Sequence, residues 1–337
     1  MVNSRKSLSI DTPASSANCL VQAVAACLAR YVLPRHRVVV GLSGGIDSVS
    51  LLHVLVHLKQ DGQLDFDLAA LHVHHGISPF ADQWDEFCRD ACQQWRVPYA
   101  SVRVLVERSS KDGLEAAARR ARHAVLSTAP ADWIMLAHQR DDQAETLLFN
   151  LLRGSGIAGV AAMREHSGRL LRPMLTIGRE AVEQYARLHQ LAWCEDESNA
   201  DTRHSRNFLR QSILPALTTR FPATTKNLAA AASRFAEAHD MLNELAIADY
   251  GDAPVEFPLN VQKLRDLSEP RARNLLRYLL AVQNVQIPSE ARLREALRQM
   301  LEADVDRHPA LVFGQYRLLR RRGWVYLEPV AACADKR

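Results

Sequence analysis

The chain is short of cysteine, of long apolar runs and of net charge, and each shortage removes a class of protein. Its six cysteines in 337 residues (Cys19, Cys27, Cys88, Cys92, Cys194 and Cys333) include no C-x-x-C pair and fall far below a disulfide scaffold, which points to a reducing compartment. Cys88 and Cys92, four apart on an expected helix, read as buried thiols. No apolar run reaches the roughly 18–20 residues that span a bilayer. The stretch from Cys19 to Leu33 is broken by Gln22 and Arg30 and lies behind a polar leader, so it reads as an amphipathic first helix rather than a signal sequence. A cytoplasmic protein with no membrane partner is expected. The 42 basic and 38 acidic residues leave a net charge of +4, so any polyanion must be met by a local patch. Internal repeats and low-complexity segments are also lacking.

What is present is an alternation of strand and helix patterns. The β-branched run Val38-Val39-Val40 precedes a glycine turn and a helical stretch over Val49–Leu58. Apolar or strand-like segments follow at Leu68–Val73, Tyr99–Val106 and Trp133–Ala137. Between and after them come helical stretches around Trp84–Trp95, Glu115–Ser127 and Asp142–Leu152. Such alternation predicts parallel βαβ units, an α/β open sheet with ligands beyond the carboxyl ends of its strands. After Arg210 the pattern changes: Leu214-Pro215 and Phe221-Pro222 punctuate a boundary. Helices are expected over Asn227–Ala248, Arg271–Val282 and Glu290–Leu301, and a closing hairpin over Phe313–Leu319 and Trp324–Glu328. The expected division is a flexible tail over 1–17, a nucleotide-binding domain over 18–217 and a smaller, mainly helical domain over 218–330 that ends in the β-hairpin.

The sharpest motif is Ser43-Gly44-Gly45-Ile46-Asp47-Ser48, between a strand and a helix. Adjacent glycines let successive N–H groups point into one concavity, and the helix adds its own free N–H groups and positive dipole end. Ser43 and Ser48 can donate to phosphate oxygens, and Asp47 can hold Mg²⁺. A plain βα turn with a Ser or Asp cap is the bland alternative. No lysine follows the glycines, so this is not the loop that reaches β- and γ-phosphates through a lysine; it suits attack at the α-phosphate with pyrophosphate as leaving group. Gly154-Ser155-Gly156-Ile157-Ala158-Gly159 mimics a dinucleotide fingerprint but follows a helix, so a glycine helix stop is expected.

Other polar clusters end the remaining strands. His72-Val73-His74-His75 could place His72 and His74 on one face as metal ligands, but adenine-pocket or strand-end contacts are the preferred reading. His138-Gln139-Arg140-Asp141-Asp142-Gln143-Ala144-Glu145 puts Asp142 and Glu145 three apart on one helix face, suited to an ammonium group or Mg²⁺. An Asp141 cap is compatible with that. Glu115 through Arg122 is an arginine-rich turn that reads equally as a solvated face, with Arg122 one turn beyond Arg119. Arg203, Arg206 and Arg210 flank Phe208, a pattern for phosphate-backbone contact. Tyr316, Arg317, Arg320, Arg321, Arg322, Trp324 and Tyr326 interleave charge with aromatics and suit RNA, although a two-sided strand with its arginines in solvent fits as well.

Ser-Gly-Gly-x-Asp-Ser resembles the pyrophosphate (PP) loop of the N-type ATP pyrophosphatases, which adenylate a substrate and then displace AMP. In order, the Ser43–Ser48 loop, His72–Ile77, Glu115–Arg122, His138–Met163, Arg172–Leu175, Glu195–Asn199 and Arg206-Asn207 are similar to the tRNA(Ile)-lysidine synthetases. The likeness is strong over about Arg37–Pro215 and weaker beyond. Two positions depart: Gln139 stands where the family commonly has a second histidine, and His123 where it often has tyrosine. Longer members carry a further C-terminal domain, expected to be absent here.

The resemblance implies a PP-loop ATPase sheet domain using ATP and Mg²⁺. It implies ligation of free L-lysine to C2 of the wobble cytidine of the CAU-bearing isoleucine tRNA, through an adenylated cytidine, with AMP and pyrophosphate released. That change moves codon reading from AUG to AUA. The implied ATP site is Ser43, Gly44, Gly45, Ile46, Asp47, Ser48 and His72, with Asp47 on Mg²⁺. The implied catalytic group is Asp47, Arg122, His138, Asp142, Glu145 and Arg206. Arg210, Arg317, Arg320, Arg321 and Arg322 are implied tRNA contacts, and a homodimer is compatible with the sequence. The rivals are a PP-loop tRNA thiolase, which needs cysteines at the cleft, and a nucleotide-gated RNA-binding module.

Overall fold

The computed structural model describes residues 13–62, 64–106, 114–197, 201–202, 205–251, 254–303 and 309–330. Ser198, Asn199, Arg203 and Cys333 lie outside them, as do residues 1–12. The chain divides into two compact units, residues 1–155 with 159–233, and residues 156–158 with 234–337.

The first unit opens with helix α1 (Pro13–Tyr31), whose Leu20, Val24, Cys27 and Leu28 are fully buried at helical spacing, the amphipathic pattern expected of it. The elements β1 (His36–Gly41), α2 (Ile46–Gln60), β2 (Phe66–His74), α3 (Ala81–Gln94), β3 (Tyr99–Arg103), α4 (Leu114–Thr128), β4 (Trp133–Met135) and α5 (Arg140–Leu152) then alternate. A short turn α6 (Ile157–Val160), strands β5 (His166–Ser167) and β6 (Leu170–Leu171) and helix α7 (Arg179–Leu188) follow. The sheet order is β3-β2-β1-β4-β6-β5, parallel throughout except for the β5–β6 pair. β1 and α2 are nearly continuous apolar runs because helices cover the sheet. From β1 the chain moves outward through β2 and β3, then returns to place β4 on the other side of β1. That reversal opens a crevice at the carboxyl ends of β1 and β4, where ligands bind in open α/β sheets. The expected α/β sheet is present, with α7 and the β5–β6 pair in addition.

Three short helical pieces follow: α8 (Ser205–Phe208), a π-helical turn (Leu209–Ile213) and α9 (Leu214–Arg220). The long helix α10 (Thr224–Tyr250) runs from the first unit into the second. The second unit adds β7 (Leu259–Asn260), α11 (Val261–Arg265), α12 (Glu269–Val282) and α13 (Glu290–Glu302). It closes with β8 (Ala310–Phe313), β9 (Tyr316–Arg321) and β10 (Trp324–Pro329). The closing hairpin is therefore the middle of a four-stranded antiparallel sheet ordered β7-β10-β9-β8. Gly314, at φ +59°, turns the chain between β8 and β9, so the segment from Phe313 to Leu319 is not one strand. Leu275, Leu276, Leu279, Leu297, Leu318 and Val325 form this unit's core. Among the described residues, no helix is long and apolar enough to cross a membrane.

Candidate active site

The loop Ser43–Ser48 leaves β1 and enters α2 at the crevice. Gly44 takes φ +87°, which favours glycine, and a Cβ there would sit 3.3 Å from Cys88 Sγ and 3.6 Å from Cys194 Sγ, a snug but not closed space. The Gly44 carbonyl accepts from the Cys194 N–H at 2.9 Å. Ser48 Oγ donates to the Gly45 carbonyl at 2.9 Å and lies 3.1 Å from Ser43 Oγ, while the Ser43 N–H donates to Ser48 Oγ. The loop is thus held closed by its own serines, with Gly45 as the cap of α2.

His72 backs this loop. It is 5 % exposed and its Nδ1 is 2.8 Å from the Leu42 carbonyl, immediately before Ser43. The ring supports the strand end, one of the two contacts expected of it, with Nδ1 taken up by the backbone. His74 is equally buried, with Nε2 on Asp82, so the two rings do not converge on a metal.

Asp47, on the first turn of α2, faces the start of α5. Gln139 Nε2 donates to Asp47 Oδ1 at 3.0 Å across the crevice. Burial, and then the neighbouring Asp142, push the Asp47 pKa up to about 7, against Arg179, Arg210 and the Gln139 bond. A carboxylate so placed gains from a cation, and this is the physical fit to Mg²⁺.

Gln139, not Asp141, caps α5. Asp142 Oδ2 accepts from the Gln139 N–H at 3.0 Å, and Asp141 instead accepts from the Arg179 N–H at the start of α7. Asp142 and Glu145 do share a face, and one guanidinium joins them: Arg210 Nη2 is 3.1 Å from Asp142 Oδ1 and 2.8 Å from Glu145 Oε2. Arg206 adds a 3.5 Å contact to Glu145 and stacks over Phe149 at 5.1 Å. The π turn and α8 bring Arg206 and Arg210 onto α5; such bulges frequent functional sites. Arg210, expected to track the tRNA backbone, belongs in this structure to the carboxylate cluster. Glu145 is 3 % exposed; burial raises its pKa against the pull of Arg210.

Next to these carboxylates is a cluster of positive charge, with Arg206 on Glu145 and Arg122 near Asp142. His138 is kept neutral, its pKa driven well down by burial and then by Arg172, Arg119, Arg122 and Arg206. Its Nδ1 is buried without a hydrogen-bond partner. The Arg122 pKa is lowered by burial and by Arg119, and His75, beside Arg122, falls to about 4, first through burial. Four guanidinium groups acting on one neutral ring form a site that gains from an anion such as a phosphate. Arg119 and Arg172 lay within motifs read from the sequence but were not singled out as site residues; Arg179, which acts on Asp47, had no local signal. Gln143 fixes the floor, with its amide bonding both the N–H and the carbonyl of Met163. Gly154, at φ +71°, ends α5 as the helix stop expected there.

In the second unit the proposed RNA hairpin is less basic than its sequence. Arg320 is 7 % exposed and donates to the Met300 and Ala303 carbonyls at the end of α13. It is a structural buried arginine, a correction to its reading as a tRNA contact. Arg317 and Arg321 are exposed but both pair with Glu328. Arg322, in the turn, and Trp324, 41 % exposed, remain as the open basic–aromatic pair.

Residues 17–217 match the PP-loop domain family and residues 259–326 match the TilS substrate binding domain. A tRNA(Ile)-lysidine synthase of Nitrosomonas europaea is 41 % identical over 309 residues, covering 90 % of this chain and 67 % of that protein. The chain belongs to the tRNA(Ile)-lysidine synthase family. A relative of the same name from Aromatoleum aromaticum is 46 % identical over 277 residues, covering 81 % of this chain and 64 % of the relative. The chain thus spans about two thirds of the length of these curated relatives. Among solved structures, the U34-tRNA thiolase NcsA of Methanococcus maripaludis, with its [4Fe-4S] cluster, superposes with a TM-score of 0.54 at 18 % identity. The superposition covers 67 % of this chain and 80 % of that one, a likeness of fold. Cysteine spacing hid one feature relevant to the thiolase rival: Cys88 and Cys194 meet at Gly44. Burial raises both thiol pKa values, so neither is an activated thiolate.

Proposed function

We propose that this chain ligates L-lysine to C2 of the wobble cytidine of a CAU-bearing isoleucine tRNA, using ATP and releasing AMP and pyrophosphate. The observation that carries the reading is the meeting of three groups at one crevice: the closed Ser43–Ser48 loop, the Asp47–Asp142–Glu145 carboxylates, and the arginines around His138. The loop N–H groups and the N-terminus of α2 would hold the departing pyrophosphate. Asp47, with Asp142 beside it, would hold Mg²⁺, which neutralises phosphate charge when bound.

The cytidine C2 oxygen attacks the α-phosphorus and the bond to pyrophosphate breaks. Arg122, Arg172 and Arg206 would stabilise charge building on the α-phosphate, with neutral His138 placed to donate or accept at the base. The lysine ε-ammonium gives up a proton to solvent, the free amine then adds to C2, and the C2–O bond breaks, expelling AMP. Activation by AMP is needed because the bare carbonyl oxygen is a hopeless leaving group. Arg210 marks where a cation is held by Asp142 and Glu145, so the lysine ammonium would enter by sharing or displacing that guanidinium. Arg322 and Trp324 would contact the tRNA body, and a tRNA substrate accords with a cytoplasmic protein.

The test is tRNA-dependent release of pyrophosphate and AMP from ATP in the presence of lysine. Equal release of both, with none when tRNA is omitted, is expected. A thiolase would release AMP only with a sulfur donor and not with lysine, and a binding module would release neither product.

A further inference from the structure

Away from the nucleotide crevice, α2 and α7 carry a second constellation. His53 and His57 are one turn apart on α2, and His189 caps the C-terminus of α7. One ligand atom from each lies within 4.8 Å of the others, and among the described residues these are the only three metal-ligating side chains so grouped. His53 Nε2 and His57 Nε2 are 3.3 Å apart. Two nitrogens at about 2.0–2.1 Å from a tetrahedral ion are separated by about 3.3–3.4 Å, so this edge is already at ligand spacing. His189, with its ligand atom no more than 4.8 Å from the other two, would need to swing inward to complete the face, and its exposed position leaves room to do so.

A partner behind the first ligand orients its ring and can accept its Nδ1 proton. The buried Tyr185 hydroxyl lies 2.8 Å from His53 Nδ1. With the ring proton on Nδ1 and donated to that oxygen, Nε2 carries the lone pair toward His57. Ligand histidines are commonly oriented by such a bond at the other nitrogen. Trp95, 5.2 Å from the His53 ring, and Tyr185, 4.3 Å from the His189 ring, wall the inner side. His57 and His189 are exposed, which leaves the fourth position to water.

We propose that His53, His57 and His189 form a binding site for a borderline transition-metal cation such as Zn²⁺, which clips the loop-bearing helix α2 to α7. Three neutral nitrogens with no carboxylate exclude Mg²⁺ and Ca²⁺ as occupants, so the site is separate in chemistry from the Asp47 centre.

The probe is Co²⁺ added to this chain without a tag in excess Mg²⁺, followed by its visible ligand-field bands. One equivalent with tetrahedral bands, displaced by one equivalent of Zn²⁺, is expected. His57→Ala and His189→Ala, both exposed positions, should each weaken binding at least about tenfold. Zn²⁺ should raise the melting temperature of the wild type by several degrees and leave both variants unmoved. Asp47→Asn should bind Co²⁺ as the wild type does. No binding below about 100 µM, binding unchanged in both histidine variants, or loss with Asp47→Asn would overturn the assignment.

Discussion

Replacing Asp47 by asparagine is expected to stabilise the ligand-free catalytic unit while abolishing its chemistry. Burial, and then Asp142, lift the Asp47 pKa from the ordinary 3.8 to about 7 in the fold. The folded state therefore holds the proton more tightly than the unfolded chain. Its contribution favours folding below about pH 4 and is lost as pH rises through about 7. About three pKa units at about 1.4 kcal/mol each bound the loss near 4 kcal/mol, and water entry into the open crevice reduces it to about 2 kcal/mol. Asparagine cannot ionise, and its carbonyl can keep the bond that Gln139 makes at 3.0 Å. For a unit of about 200 residues, about 2 kcal/mol moves the midpoint by about 4–8 °C. The assay is the melting temperature of wild type and variant between about pH 4.5 and pH 8.5, without nucleotide or Mg²⁺. The two curves should meet at the acid end, separate between about pH 5 and 7, and run parallel above with the variant higher. Added Mg²⁺ should raise the wild type alone. Curves that coincide at every pH, or a variant less stable above pH 7, would refute the burial argument.

Three further outcomes follow from the geometry. Glu145→Gln removes the charge that holds Arg210 and Arg206; kcat/KM for lysine should fall about a hundredfold, with tRNA-dependent pyrophosphate release reduced much less. An equal fall in both would assign Glu145 to nucleotide placement. Arg320→Ala should destabilise the second unit by about 2–4 kcal/mol by leaving the Met300 and Ala303 carbonyls unpaired. Arg322→Ala should leave stability unchanged but lower tRNA affinity and its salt dependence, read by denaturant melts and binding isotherms.

The parts legible in the sequence were those written contiguously. The Ser43–Ser48 loop carries its geometry in six adjacent residues, and the Asp142–Glu145 spacing sets a helix face by itself. What joins them was not legible. Arg210 reaches Asp142 and Glu145 from 68 and 65 residues away, and only the fold brings α8 and the π turn onto α5. The convergence of Cys88 and Cys194 on Gly44 is of the same kind. Arg320 is different, because a signal was present: strand alternation puts it on the same side as Leu318, which is fully buried. Its charge was taken as a mark of exposure, whereas the carbonyls ending α13 give a buried guanidinium its partners. Asp141 shows the limit of cap reasoning, since a residue suited to capping its own helix capped α7 instead.

Labelled lysine offered with ATP and Mg²⁺ to two transcripts, the CAU-bearing isoleucine tRNA and an elongator methionine tRNA with the same anticodon, tests the central claim most directly. Label entering the isoleucine tRNA alone, with one AMP formed per lysine incorporated, is the predicted result. Pyrophosphate release without incorporation would contradict lysine as the nucleophile, and label in neither tRNA with no AMP formed would contradict the reaction itself.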